Sequence, residues 1–157
     1  GPLLLVELVY DIRSRGRRLV PELAGSVGIA GVAAMIALAS DAPAPVAVGL
    51  WLVLAGRAIT SIHWVREQVQ RLHHRGTSGR WLIVSDLTAI GCGLAAAAME
   101  PQLIAGAAAV AVVVAAQRLS VLRPALTAKV IGLRQTVLGL VVVVATAIGV
   151  ALTGGIT

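Results

Sequence analysis

Residues 45–80, PVAVGLWLVLAGRAITSIHWVREQVQRLHHRGTSGR, decide the fold. The first part, 45–65, is apolar and carries one fixed charge, Arg57. At ~1.5 Å rise per residue it is long enough to cross a hydrocarbon layer of about 30 Å. The second part, 66–80, holds Arg66, Arg71, Arg75 and Arg80 and ends in the helix-breaking run Gly76, Thr77, Ser78, Gly79. A membrane-length apolar segment followed by a basic turn is the unit from which the chain is built.

Working outward, twelve of the thirteen Lys and Arg residues fall in three clusters, 13–18, 66–80 and 118–134, and the exception is Arg57. The alternate connections, 40–45 and 99–102, carry only Asp41 and Glu100. Basic and non-basic turns therefore alternate, as they do when Lys and Arg stay on the cytoplasmic side of a bilayer. Five spans result: 19–39, 45–65, 81–99, 101–122 and 130–152. The expected fold is all-α, one polytopic transmembrane helical bundle in a single domain over 1–157. Basic loops face the cytoplasm and the C-terminus lies on the outer side of a bacterial cytoplasmic (inner) membrane. Gly1 to Leu8 read as the end of a preceding hydrophobic helix, so the chain is expected to be the C-terminal part of a longer membrane protein. They lack the charged front and small-residue cleavage site of a signal peptide.

Composition agrees. Mean hydropathy is +0.93, with 58% hydrophobic and 13% charged residues, outside the range of soluble domains. Phe is absent and Gly numbers 17, which suits helices that approach closely in lipid. Ala24 with Gly28, and Ala89 with Gly93 and Ala97, repeat small residues at helical spacing. They mark contacts with other helices, with other membrane subunits or with a second copy. The net charge of +6 sits in short turns beside spans, so anionic lipid headgroups, and not nucleic acid, are its expected partner. Pro21, Pro45 and Pro101 each fall in a first helical turn, where the missing N–H costs little. Tyr10, Trp64 and Trp81 fall near the basic boundary, where amphipathic rings settle.

Charged groups inside the spans carry the functional reading. Arg57 lies nine residues before Arg66, about 13 Å above the helix end, where an Arg costs about 2.5–3.5 kcal/mol to insert. Asp86 lies six residues past Arg80, about 9 Å into the next span. The two are expected to meet across an antiparallel hairpin, as a structural ion pair or as a polar site for a headgroup or proton. Glu22 and Arg134 are also deep enough to need partners. Glu7, Asp11, His63, Gln117, Lys129 and Gln135 gather at the same end, which suggests a cavity open to the cytoplasm. His63, His73 and His74 do not complete a metal set, and Cys92 is alone, so no metal or disulfide is expected. No nucleophile–base pair, Walker loop or dinucleotide fingerprint appears.

Three stretches resemble the YwiC-like family of bacterial integral membrane proteins. They are 8–18 (LVYDIRSRGRR), 64–71 (WVREQVQR) and 129–135 (KVIGLRQ). The last is similar to a Lys-x-x-Gly-x-x-Glu segment before the family's last span, with Gln135 in the place of the acid. The family implies a membrane fold and names no reaction. Its layout is similar in turn to UbiA-type prenyltransferases, whose Asp-rich loops hold a polyprenyl diphosphate through magnesium. Here Asp11 alone remains in that stretch, with Arg13, Arg15, Arg17 and Arg18 around it. Arginines grip anionic headgroups directly, without a metal.

The leading expectation is a non-catalytic membrane subunit or scaffold, with no cofactor beyond a bound lipid or quinone in a cytoplasm-facing cavity. Its headgroup-binding candidates are Arg13, Arg15, Arg17, Arg18, Glu22, Arg57, Asp86, Lys129 and Arg134; no residue is assigned to catalysis or to a metal. A divergent UbiA-like lipid-modifying enzyme is the alternative. A small-solute transporter with Arg57 and Asp86 on its path is the third.

Overall fold

The apolar segments form helices at the positions the sequence predicts. The computed structural model describes residues 2, 19–73, 79–122, 124 and 126–154. The helices are α1 (Leu19–Ala39), α2 (Ala44–Leu72), α3 (Gly79–Met99), α4 (Ile104–Val121) and α5 (Ala128–Gly154), with a short 3₁₀ turn, Pro101–Leu103, leading into α4. All five are long and apolar enough to span a membrane, and no strand occurs among the described residues. The chain is a polytopic membrane helical bundle. The expected preceding helix, Tyr10 and the basic cluster 13–18 lie outside the described residues.

Two turns show why the helices stop where they do. After α1, Asp41 takes the left-handed conformation, φ 58°. Its N–H donates to the Leu38 carbonyl at 3.2 Å, and the Ala42 N–H donates to the Ala37 carbonyl at 3.0 Å. This is a Schellman arrangement that satisfies the last carbonyls of the helix. Pro43 then caps α2. Before α4, Glu100 is extended, and Pro101 opens the 3₁₀ turn without an N–H to lose. At the other end α2 runs to Leu72, seven residues past the Val65 limit of its apolar part. Residues 66–72 contain no helix breaker, and Arg71 in the last turn complements the helix dipole.

Helix α2 is the axis of the molecule. It touches α1, α3, α4 and α5, whereas among the described residues α1 touches no other helix and α3 does not touch α5. Thus α2, α3, α4 and α5 close a four-membered ring, and α1 packs on the outside of α2. Neighbours are antiparallel: Gly49 faces Ala96, Gly56 faces Ala89, and Thr60 faces Asp86. Their contacts depend on missing side chains. A Cβ on Gly56 would stand 3.0 Å from the Ala89 carbonyl oxygen, and one on Gly106 would collide with Thr146. One core cluster is built from Val53, Ala89, Ala96, Leu103, Val110, Val113 and Val142. Leu87, Leu94, Val112, Leu119, Leu133 and Leu140 are each more than half exposed on the outer surface. A soluble protein would hide such a surface, whereas lipid chains solvate it.

Candidate functional site

One end of the bundle collects the polar groups. The start of α1, end of α2, start of α3, end of α4 and start of α5 meet there. They bring Glu22, Arg66, Arg80, Arg118, Lys129 and Arg134 to that end, while Asp41 and Glu100 lie at the opposite turns. Just inside the basic end, α2 presents Arg57, Thr60, Trp64 and Gln68, all buried, at three- and four-residue spacing on one face. A hydrogen-bonded network grows from that face.

Arg57 and Asp86 do not pair, contrary to the expectation from sequence. The α2–α3 register sets Thr60 opposite Asp86 and the Ala89 turn opposite Gly56. Arg57, one residue beyond Gly56, is therefore about one turn too far along, and it faces α5. Its Nη2 donates to Oε1 of Gln135 at 2.7 Å and to the Gln135 carbonyl at 3.0 Å. Asp86 is instead the partner of Arg118, whose Nε donates to Oδ2 at 2.5 Å. The Thr60 hydroxyl donates to Oδ1 at 2.7 Å. That hydroxyl also stands 3.0 Å from the side-chain amide of Gln117. It has one proton, which goes to the carboxylate as the stronger acceptor, and Nε2 of Gln117 faces Oε1 of Gln135 at 3.5 Å.

The other deep charges also find partners. Glu22 on α1 binds Arg66 on α2, with Oε2 at 2.9 Å from Nη2 and 3.0 Å from Nε. Arg134 donates to the Ala116 carbonyl at 2.7 Å and lies 5.2 Å above the Trp64 ring, in cation–π range. Trp64 was expected at the boundary with water. It is fully buried, and its indole N–H is shared between the Gln117 carbonyl at 3.2 Å and Ser120 Oγ at 3.1 Å. Buried polar acceptors on α4 draw it inward. Trp81, by contrast, is 64% exposed on the surface of the bundle.

Lys129 is exposed in the first turn of α5 and stands outside the network. Arg13, Arg15, Arg17 and Arg18 lie outside the described residues. No group of three His, Cys, Asp or Glu side chains converges as a metal set among the described residues. Sequence reasoning missed Thr60, Ser61, Gln68, Arg118 and Ser120, and it named Gln117 and Gln135 only as boundary residues. For the members on α2 the signal was present as a polar stripe, Arg57, Thr60, Ser61, Trp64 and Gln68, at helical spacing.

Beside the network lies a groove of about 700 Å³, lined by Glu22 of α1, by Ser61, Ile62, Val65, Arg66, Val69 and Gln70 of α2, and by Gln135 of α5. It exists because α1 and α5 flank α2 without touching. Gln135 joins groove and network: its Oε1 accepts from Arg57 and, at 2.8 Å, from Ser61 Oγ. Among the described residues its buried Nε2 has no acceptor, nor has the Nε of Arg57 a partner. Volume and mixed lining fall in the range of small-molecule sites. Comparison with family models, with curated proteins and with solved structures finds no match to this chain.

Proposed function

We propose that this chain is a YwiC-like integral protein of the bacterial cytoplasmic membrane, a non-catalytic subunit or scaffold that holds a lipid or quinone in the groove between α1 and α5. The observation that carries the reading is the groove itself. Ile62, Val65 and Val69 give it an apolar wall, Ser61 and Gln135 a polar floor, and the Glu22–Arg66 pair a charged mouth. An amphiphile has that same division into a greasy and a polar part. The clustering of Arg and Lys at the groove end supports a cytoplasmic mouth, because basic residues resist translocation. The apolar outer faces of α1 and α5 support contact with other membrane subunits or a second copy.

The test is occupancy. Native mass spectrometry of the protein extracted in mild detergent is expected to show a retained lipid or quinone. Ser61→Trp, which fills the groove floor, is expected to release it while the helical circular dichroism is unchanged. Retention of the same molecule by a folded Ser61→Trp protein would place the ligand elsewhere and remove this reading.

A further inference from the structure

The buried charges near the groove do not balance. Among the described residues, the acids of the bundle's basic half are Glu22, Glu67 and Asp86: Asp86 pairs with Arg118, Glu22 pairs with Arg66, and Glu67 lies nearly three helical turns from Arg57 along α2. Arg57 is 7% exposed and, among the described residues, has only the two neutral oxygens of Gln135 as acceptors. A buried guanidinium without a counter-charge is costly in lipid, and neutral amide oxygens solvate it without cancelling its charge. Donors are also in surplus at this point. The Nε of Arg57 and the Nε2 of Gln135 are buried without partners. Ser61 Oγ adds a further donor directed at the same oxygen of Gln135.

We infer that Arg57, Ser61 and Gln135 form an anion site for the phosphate of a lipid whose chains lie along Ile62, Val65 and Val69. The inference rests on the groove being an amphiphile site and says which amphiphile it takes. A phosphate brings the negative charge that Arg57 lacks, and several oxygens for the clustered donors. A quinone offers neutral carbonyls and leaves the guanidinium charge uncancelled. Gln135 is the stand-in: its amide oxygen occupies the place of an anionic oxygen between Arg57 and Ser61. Rotation of its side chain exchanges that oxygen for the ligand's and turns Nε2 toward the phosphate.

The experiment uses the full chain in an uncharged maltoside detergent, with binding read by the shift of the thermal midpoint. Three probes are compared: dioctanoyl phosphatidic acid, dioctanoylglycerol and inorganic phosphate. Phosphatidic acid is expected to raise the midpoint, with the other two well behind. Arg57→Gln is expected to weaken phosphatidic acid by about tenfold or more, the loss of a charge-assisted contact. Gln135→Glu supplies an internal counter-charge for Arg57 and is expected to fold without lipid and lose the phosphatidic acid response. Equal stabilisation by phosphatidic acid and dioctanoylglycerol, insensitive to Arg57→Gln, would overturn the anion site and leave the groove reading standing. An effect of inorganic phosphate as large as that of phosphatidic acid would overturn the lipid as ligand. Failure of both amphiphiles would sink both readings. Should Arg57→Gln not fold, a full response in folded Gln135→Glu would decide against the site.

Discussion

At the scale of single residues, side-chain direction matters more than depth in the membrane. Gln68 is wholly buried, and among the described residues neither its amide oxygen nor its nitrogen has a hydrogen-bond partner. Such a group loses its hydration without compensation, so Gln68→Met, close in volume and apolar, is expected to stabilise the protein by about 1–3 kcal/mol, measured by titration from mild detergent into dodecyl sulfate. Asp86 makes the complementary case. Removing it strands Arg118, and a double-mutant cycle of Asp86→Asn with Arg118→Gln is expected to show coupling of about 1–3 kcal/mol. The same cycle between Arg57→Gln and Asp86→Asn is expected to be additive within about 0.5 kcal/mol. Coupling of equal size in both cycles would refute the partners seen here. The sequence identified Arg57, Asp86, Glu22 and Arg134 as residues that need partners, because a charge in an apolar span is conspicuous. It misassigned the partner of Arg57, because Arg57 lies one turn along and about 60° around the helix from Thr60, enough to bring it to α5 while Thr60 meets α3 and α4.

At the scale of elements, helices are held by close approach and not by large apolar knobs. Two glycines test this. Gly106 packs directly on Thr146, so a Cβ there must push α4 and α5 apart, whereas a Cβ on Gly139 would meet nothing within 4 Å. Gly106→Ala is expected to destabilise by about 1–3 kcal/mol through overpacking. Gly139→Ala is expected to be neutral or stabilising by up to about 1 kcal/mol, since alanine favours the helix. Dodecyl sulfate midpoints of the two variants separate the cases. Of the small residues marked in the sequence, Ala89 and Gly93 do lie in helix contacts, with Gly56 and Ala107. Gly106 and Gly56 matter as much and were not distinguished from the chain's other glycines. Composition says that close contacts exist; which glycines make them depends on the register between helices.

At the scale of the whole molecule, the placement of charge predicts a testable topology. In a Cys92→Ser background, Ser40→Cys in the α1–α2 turn is expected to react with a membrane-impermeant maleimide in intact cells. His73→Cys, at the basic end of α2, is expected to react only after the cells are opened. The reverse pattern would invert the orientation and turn the groove mouth outward. The number, order and approximate ends of the five described helices were fixed by the chain before any folding in space. A membrane-length run of apolar residues has one low-energy state in lipid, a helix, and a breaker or charge must end it. The long axis of α2 and the gathering of polar groups at one end followed from the same linear information. The ring of four helices with α1 outside, the Arg57–Gln135 and Asp86–Arg118 partnerships, the burial of Trp64 and the groove were decided only by tertiary packing. Helix rotation and register are set by small differences in how side chains fit between neighbours, and these arise from pairs of residues that are distant in sequence.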